Sequence, residues 1–323
     1  MNAMTCIEIS RKMRFVALST LALFSSSAFA IGSGQVVTTD QFEARSAVII
    51  LLTRTNPDGS ATIVDNCSGV LVSSNLVMTA AHCTNNMVPS TDAAGHVTFQ
   101  NLGTLSPRNV FVYFSIDFSP TAINISLVRA AEAVRSYPGF WEQAGPDVGI
   151  QRRDLGLIKL LQSAPSSYQP ASVLNNPGFL KPGQDVTIAG SGNKYGLNDP
   201  REPAIASLSS FETLINNPID NLVDSKGLIQ LYKSQSLPRF KKSFASGSED
   251  EKRAISEAGE ESGDSGGPAF VLVKNQPVVV GIASGYDNQN FPVYENVAGD
   301  YEWIVKTVGE IGAAPINFLS GNR

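Results

Sequence analysis

Two short stretches of this sequence carry residue types that can do nucleophilic chemistry. Ser265 lies in the run Gly-Asp-Ser-Gly-Gly, and His82, one of only two histidines in the chain, lies in Thr-Ala-Ala-His-Cys. A serine hydroxyl is a weak nucleophile at neutral pH, but an imidazole with an ordinary pKa of about 6.5 can take up its proton and return it later. Ser265 and His82 are therefore the candidate nucleophile and general base.

The order of these residues along the chain limits the folds that could bring them together. The run from Gly263 to Gly267 fits G-x-S-x-G, a weak pattern that also occurs at the nucleophile elbow of α/β-hydrolases. In those enzymes the histidine follows the serine, whereas both histidines here, His82 and His96, precede Ser265. Histidine before serine is the order of the chymotrypsin-like proteases, and the two stretches resemble the histidine and serine motifs of the trypsin and chymotrypsin family.

The resemblance implies roles for four residues. The segment RRDLGLIKLL is similar to the family's aspartate strand and nominates Asp154, with Asp147 in GPDVGI as the alternative. His82 would then act as the base, Asp154 would orient it, and Ser265 would attack. The backbone N–H groups of Gly263 and Ser265 would form the oxyanion hole.

Further segments resemble parts of the same family. The segment GIASG, residues 281–285, is similar to the strand that lines the primary specificity pocket, and Ser284 is expected to hydrogen-bond Asp154. The segment VTIAGSGN is similar to the start of the second barrel, with Ser191 where most relatives have tryptophan. The stretches Thr84–Ala130 and Leu197–Lys242 are hard to align, and we expect surface insertions there, with His96 an exposed loop residue.

The resemblance also predicts the substrate preference of the pocket. In trypsin-like members an aspartate lies six residues before the nucleophile, and here that position is Gly259. Tyr286 occupies a position where relatives with deep pockets have glycine. We therefore predict an uncharged residue before the scissile bond. In the alternative, Glu260 or Glu261 enters the pocket and selects lysine or arginine.

Activation in this family depends on a new N-terminus that pairs with the aspartate before the nucleophile. The segment Ile31-Gly32-Ser33-Gly34 is similar to the family's N-terminal pattern, so the ammonium group of Ile31 is expected to pair with Asp264. Cleavage of a signal peptide after Ala30 would expose it. The alternative is a cut after Arg45, which would leave the polar Ser46 at the N-terminus.

The first thirty residues match a secretory signal peptide. Basic residues precede the apolar run FVALSTLALF, which is too short to span a bilayer, and the segment ends in Ala28-x-Ala30. We expect residues 1–30 to be removed and the protein to be secreted, either extracellular or periplasmic. The alternative is a buried N-terminal helix.

Charge and composition narrow the class of partners. The formal net charge is -5, and no basic stripe is present, which makes nucleic acid a poor candidate ligand. No long apolar run exists after residue 30. We expect a monomer that needs no cofactor, contacts no membrane after signal cleavage, and acts on a protein or peptide.

Two cysteines remain once the leader, with Cys6, is set aside. An even number of cysteines in an oxidising compartment favours a disulfide between Cys67 and Cys83. The alternative is a metal site, in which His82 and His96 would join the two thiols. The family resemblance implies that the disulfide braces the hairpin that presents His82.

Short runs of β-branched and aromatic residues, bounded by turn-forming residues, predict an all-β fold. The predicted strands are Ser46–Leu52, Gly69–Ser73, Leu76–Ala80, Asn109–Ile116, Asp185–Gly190, Ala269–Val273 and Val278–Ala283. Hairpins are expected to turn at Ser74-Asn75 and at Asn275-Gln276. The C-terminal segment DYEWIVKTVGEIG has apolar residues at helical spacing, whereas EDEKRAISEAGEE is either a charged helix or a solvated loop.

The residues and the resemblance together predict fold and function. The resemblance implies two packed six-stranded antiparallel barrels, about 31–165 and about 166–323, with a helix at the C-terminus. The predicted activity is that of a secreted serine endopeptidase. The alternatives are a catalytically inactive protease-like binding protein and a secreted esterase on the same fold.

Overall fold

The computed structural model describes residues 35–36, 40–91, 97–115, 123–140, 153–180, 185–191, 212–223, 228–231, 263–286 and 292–320. Its strands are β1 (Gln35–Val36), β2 (Ala47–Thr55), β3 (Ala61–Ser73), β4 (Leu76–Thr79), β5 (Asn85–Thr91), β6 (Val97–Thr104), β7 (Val110–Tyr113), β8 (Val128–Ser136), β9 (Gly156–Leu160), β10 (Ser172–Leu174), β11 (Asp185–Gly190), β12 (Glu212–Val223), β13 (Leu228–Leu231), β14 (Pro268–Val273), β15 (Gln276–Tyr286), β16 (Pro292–Asn296) and β17 (Phe318–Leu319). Its α-helices are α1 (Phe42–Ser46) and α2 (Tyr301–Ile311).

The first barrel consists of six antiparallel strands in the order β2, β3, β4, β9, β8 and β7. Valine, isoleucine and leucine from β2, β3, β4 and β9 fill it, since these β-branched and aliphatic side chains pack well on a pleated surface. Strands β5 and β6 pair only with each other, as a hairpin beside the barrel. Strands β7 and β8 complete the barrel, so the stretch between Thr84 and Ala130 holds both an insertion and part of the barrel itself.

The second sheet closes on itself in the same way. Strands β14, β11, β12, β13, β16 and β15 follow one another, and the pairing of β14 with β15 completes the ring. Strand β10 pairs in parallel with β15 and with β17, and the short β1 pairs with β12. The predicted all-β fold with two antiparallel barrels is therefore confirmed, and β1 joins the second sheet although it precedes the first barrel in sequence.

The C-terminal helix α2 is confirmed and packs one face on the body of the protein. Ile304 and Ile311 are buried in the main core cluster, and Trp303 and Val308 pack against it. Gly312 ends the helix with φ 61°, the left-handed conformation that favours glycine at this position. Within the described residues, no helix is both long and apolar enough to cross a membrane.

The two predicted hairpins differ in accuracy. The turn at Ser74-Asn75 between β3 and β4 is confirmed. The turn between β14 and β15 lies one residue earlier than predicted, at Lys274 and Asn275, whose φ values are 50° and 63°. Two positive φ values define the turn type whose twist matches a hairpin, and this preference outweighs the lower tolerance of lysine for that conformation.

Candidate active site

The turn after β4 carries His82. Thr84 N–H donates to Ala81 O at 2.9 Å and closes this turn. Cys83, the next residue after His82, forms a disulfide with Cys67 in β3, with the Cα atoms 6.2 Å apart. The histidine is therefore fixed through the backbone to a central strand of the first barrel.

Asp154, just before β9, is fully buried and receives three hydrogen bonds in the interior. His82 N–H donates to its Oδ1 at 2.8 Å, and the His82 ring nitrogen Nδ1 lies 2.7 Å from its Oδ2. Ser284 Oγ in β15 donates to the same Oδ2 at 2.8 Å. These contacts orient the imidazole so that Nδ1 faces the carboxylate and the other ring nitrogen is left for a different partner.

The carboxylate sets the basicity of the imidazole. Burial lowers the pKa of His82, but Coulombic attraction to Asp154 and the hydrogen bond between them outweigh it. The pKa of His82 is therefore raised above its ordinary value of 6.5. With 21% of its side chain exposed, the imidazole remains accessible from solvent.

The Ser265 loop enters from the second barrel and is tied to the first barrel through Ser68. Ser68 Oγ donates to Gly263 O at 2.8 Å, and Ser68 N–H donates to Ser265 O at 2.8 Å. The sulfur of Cys83 lies 3.6 Å from the same Ser265 oxygen. The serine loop thus lies against the turn that carries His82.

Glycines allow this loop to pack tightly. Gly263 and Gly266 have φ values of 102° and 82°, a region that strongly favours glycine. A Cβ on Gly266 would collide with Thr79 Oγ1 and Ser68 O. Gly266 N–H donates to Ala283 O at 2.8 Å, which joins the loop to β15.

Asp264 is buried beside the serine, with 2% of its surface exposed. A Cβ on Gly190, at the end of β11, would collide with the Asp264 carboxylate. Asp264 O accepts from Gly267 N–H at 2.8 Å. The glycine at the end of β11 is therefore required by the close approach of an acidic side chain.

Several residues nominated from the sequence lie outside the described residues: Ile31, His96, Asp147, Gly259, Glu260 and Glu261. The charged segment EDEKRAISEAGEE lies there too. Tyr286 is described only as the last residue of β15, with no account of its side chain. The structure brings together His82, Asp154 and Ser284, and it places the Ser265 loop against the histidine turn.

Cys67, His82 and Cys83 offer ligand atoms within 4.8 Å of one another. The two sulfur atoms are bonded to each other, and Nδ1 of His82 faces Asp154. This cluster therefore has no thiolate to offer a metal ion, which argues against the metal alternative at these residues.

Two groups of contacts were not predicted from the sequence. Ser68 follows Cys67 directly and looks like an ordinary strand residue, so no local signal marks it as a contact of the serine loop. Glu295 in VYEN carries a signal, because every described side chain of β16 is buried and a carboxyl group there needs a partner.

Comparison with known proteins identifies the family. The chain matches the model of the trypsin-like peptidase domain over residues 67–282. It is also similar to phenoloxidase-activating enzyme 1 of Spodoptera litura, 29% identical over 260 residues that make up 75% of this chain and 59% of that protein. The chain thus spans 59% of the length of the relative it matches. Because the domain match covers most of the chain, including His82, Asp154 and Ser265, this protein belongs to the trypsin-like peptidase family.

Proposed function

We propose that this protein is a secreted serine endopeptidase in which Ser265, His82 and Asp154 act as a catalytic triad. The observation that carries the proposal is the 2.7 Å contact between His82 Nδ1 and a fully buried Asp154 carboxylate, beside a glycine-rich serine loop. The family match supports peptide-bond hydrolysis as the reaction.

In the first half of the reaction, His82 takes the proton of Ser265 Oγ as the oxygen attacks the carbonyl carbon of the scissile bond. The carbonyl oxygen becomes an oxyanion, to which the backbone N–H groups of Gly263 and Ser265 would donate hydrogen bonds. The imidazolium is stabilised by Asp154 and donates its proton to the departing amine, which leaves an acyl group on Ser265.

In the second half, water replaces the amine. His82 takes a proton from the water as its oxygen attacks the acyl carbon, and then returns that proton to Ser265 Oγ as the acid product leaves. The raised pKa of His82 suits both halves, since a group that titrates near the working pH can both accept and donate a proton.

An active-site label separates this proposal from its alternatives. A fluorophosphonate probe should label the purified wild-type protein and leave Ser265→Ala unlabelled, and the wild-type protein should digest casein. An inactive protease-like binding protein would not take the label. An esterase on the same fold would take the label and leave casein intact, and either result would contradict the endopeptidase assignment.

Secretion and activation form one step in this proposal. Signal peptidase cleaves after Ala30, and the new ammonium group of Ile31 pairs with Asp264, which lies buried beside the serine. Breaking a buried ion pair from one side costs about 3–5 kcal/mol. An extra residue before Ile31 should therefore leave a folded but weakly active protein. N-terminal sequencing of the active secreted enzyme tests this, and any start other than Ile31 contradicts it.

The specificity part of the proposal rests on Gly259 and Tyr286. A glycine at the pocket base has no charge with which to hold lysine or arginine, so the residue before the scissile bond should be uncharged. Cleavage profiling on a peptide library checks this expectation. A profile dominated by arginine or lysine would favour the alternative that Glu260 or Glu261 reaches the pocket.

A further inference from the structure

A cluster of titratable groups, Glu295, Asp300 and Arg153, contacts the backbone N–H of Asp154. Glu295 in β16 is fully buried, and its Oε2 accepts from the Asp154 backbone N–H at 3.1 Å. Asp300, just before α2, is also buried, and its Oδ1 is bonded to the Arg153 guanidinium. Arg153 precedes Asp154 directly in the chain. The Arg153–Asp300–Glu295 cluster therefore contacts the N–H of the Arg153–Asp154 peptide unit through Glu295 and includes the Arg153 side chain.

The two carboxyl groups of this cluster, on Glu295 and Asp300, influence each other's pKa, and each has one buried oxygen without a hydrogen-bond partner in the part of the chain that the structure describes. Each carboxyl group influences the pKa of the other through a side-chain hydrogen bond, which requires a proton on one of them because ionised carboxylates only accept. Among the described atoms, Glu295 Oε1 and Asp300 Oδ2 are buried without a hydrogen-bond partner of their own. A single proton between them satisfies both buried oxygens. Two buried ionised carboxylates in contact would leave both oxygens unpaired and add charge repulsion.

The pKa directions favour Glu295 over Asp300 as the carrier of this proton. Burial raises the pKa of Glu295 well above its ordinary value of 4.5, and the adjacent Asp300 raises it further. Burial also raises the pKa of Asp300, but the hydrogen bond from Glu295 and the Arg153 charge act against that rise. Arg153 thus favours the ionised form of Asp300, to which its guanidinium is bonded.

The backbone of Arg153 is in an unusual conformation, and the side chain of the same residue belongs to the cluster. Arg153 has φ 57°, which is uncommon and strained for a residue with a side chain. Its guanidinium is bonded to Asp300 and lies 5.3 Å from the centre of the Tyr137 ring. These two contacts tie the side chain of Arg153, the residue before Asp154, to Asp300 and to the Tyr137 ring.

We propose that the Arg153–Asp300–Glu295 cluster, with one proton shared between its two carboxyl groups, positions Asp154 against His82. This inference rests on the proposed function, in which Asp154 orients the base. Glu295 acts only through Asp154, by fixing its backbone N–H, and is a positioning residue. Because Glu295 carries the proton, it adds no second negative charge beside the Asp154–His82 pair.

The groups around Glu295 determine how its ionisation would change the pKa of His82. Asp154 lies on one side and Asp300 on the other, with Arg153 and the Tyr137 ring behind Asp300. Loss of the Glu295 proton would place a negative charge between two carboxylates. That charge would raise the pKa of His82 further through its effect on Asp154.

A titration of His82 by NMR tests the shared proton whether or not the protein is an active protease. In a His96→Gln background, His82 gives the only imidazole signals. Glu295→Gln replaces the protonated carboxyl by an amide that accepts from Asp154 N–H and donates to Asp300. We expect the pKa of His82 to stay at the value of the parent protein within the error of the titration. A clear fall would mean that Glu295 is ionised, and would overturn the shared proton.

The kinetics of a second variant test the positioning. Glu295→Leu removes the acceptor of Asp154 N–H, so kcat should fall about tenfold or more, with KM within about twofold, because a buried N–H is left unpaired. Glu295→Gln should recover most of that loss. A Glu295→Leu variant with wild-type kcat would overturn the positioning role.

Two further measurements keep the inference testable if that variant does not fold or if the protein proves inactive. The low-field Nδ1–H resonance of His82 reports its contact with Asp154 directly, and it should persist in Glu295→Gln. Asp300→Asn keeps the hydrogen bond to Glu295 but removes the charge that holds Arg153, and should broaden or shift that resonance. An unchanged resonance in Asp300→Asn would overturn the role of the cluster.

Discussion

The two halves of the candidate active site are held by different forces. His82 and Asp154 are held by charge-assisted hydrogen bonds, and Asp154 is contacted in turn by the cluster of Glu295, Asp300 and Arg153. The Ser265 loop is held by hydrogen bonds of backbone groups and serine hydroxyls, and by glycines that admit no side chain. The contacts of His82 and Asp154 depend on protonation states, whereas the packing of the Ser265 loop depends on the size of the atoms around it.

This difference predicts different sensitivities. The acid–base half should respond to pH and to isosteric changes of charge, because its contacts depend on which carboxyl groups are ionised. As long as the proposed Ile31–Asp264 pair stays ionised, the serine loop should be insensitive to pH in its structure. It should be intolerant of a single added methyl group, since close-packed regions do not absorb extra volume without shifting.

The largest effect should come from removing either reacting group. Ser265→Ala and His82→Ala should each abolish nearly all peptidase turnover, leaving at most about 10³–10⁴-fold acceleration over water. Steady-state rates on a peptide ester and on casein measure this, with circular dichroism as the control for folding. If Ser265→Ala kept a tenth of the wild-type rate, the loop would not carry the nucleophile.

The second-largest effect should come from adding a methyl group to the serine loop. Gly266→Ala puts a Cβ onto Thr79 and Ser68 and forces φ 82° on alanine, so the free energy of unfolding should fall by about 2–4 kcal/mol. A loop displaced by about 1 Å should also cost about 100-fold in kcat/KM.

The matched control is another glycine-to-alanine change. A Cβ on Gly309, in the exposed face of α2, would meet nothing within 4 Å. Gly309→Ala should therefore raise the free energy of unfolding by about 0.5–1 kcal/mol, since alanine favours a helix. Denaturant unfolding of both variants decides the matter. Equal stabilities for the two would mean that the loop is not tightly packed.

Removing the Ser68 hydroxyl, which contacts the Ser265 loop, should have a smaller effect than Gly266→Ala. Ser68→Ala loses the hydrogen bonds of Ser68 Oγ to Gly263 O and to Ser191 N, both 2.8 Å. We expect a loss of about 1–3 kcal/mol in stability, because buried groups are left unpaired, and about a tenfold lower kcat. Ser126→Ala, at an exposed serine whose Oγ bonds only locally to Asn124, is the control. A shift of the pH profile in Ser68→Ala would contradict the division between the two halves.

The pH dependence belongs to the acid–base half. His82 must be neutral to accept the serine proton, and its pKa is raised because Asp154 outweighs the effect of burial. Activity should therefore fall as the pH drops through a value above 6.5. The acidic limb of kcat/KM against pH measures this pKa in the free enzyme. A limb below 6.5 would show that burial of His82 dominates instead.

The smallest effect should come from a charge at the edge of the site. After burial and Asp154, Asp65 is a further influence on His82 and raises its pKa. Asp65→Asn should move the acidic limb slightly to lower pH. The shift should shrink at about 1 M salt, where the Debye length is about 3 Å, because Asp65 is exposed. A salt-independent shift would mean that Asp65 acts through a structural change.

The strands that the sequence predicted best are those with the clearest local pattern. Strand β11 is predicted with its observed ends, and β2, β14 and β15 are predicted to within a few residues, because short runs of mostly apolar, β-branched and aromatic residues mark them. The segment of β8, VRAAEAVRS, contains alanine, arginine and glutamate and was not predicted. It forms a strand because β7 and β9 supply partners on both sides, which no local pattern reveals.

The site was predictable where its residues belong to contiguous motifs, and not where they meet only in space. His82 and Ser265 each lie in a short motif, and family likeness extended this to Asp154. Ser68 and Glu295 contact these motifs from strands that are distant in sequence. Their roles depend on the register of β3 and β16, which a single sequence does not define.

The core cluster that joins the barrels has a consequence for resistance to proteolysis. Phe270 and Ile282 of the second barrel share one apolar cluster with Leu71 of the first and Ile304 of the C-terminal helix. Neither barrel can open alone without exposing that shared surface, which makes the opening of one barrel costly. If the chain is the endopeptidase proposed above, each molecule is also a potential substrate of the others. Self-digestion should then begin in surface loops, and cleavage within the barrels should wait for unfolding.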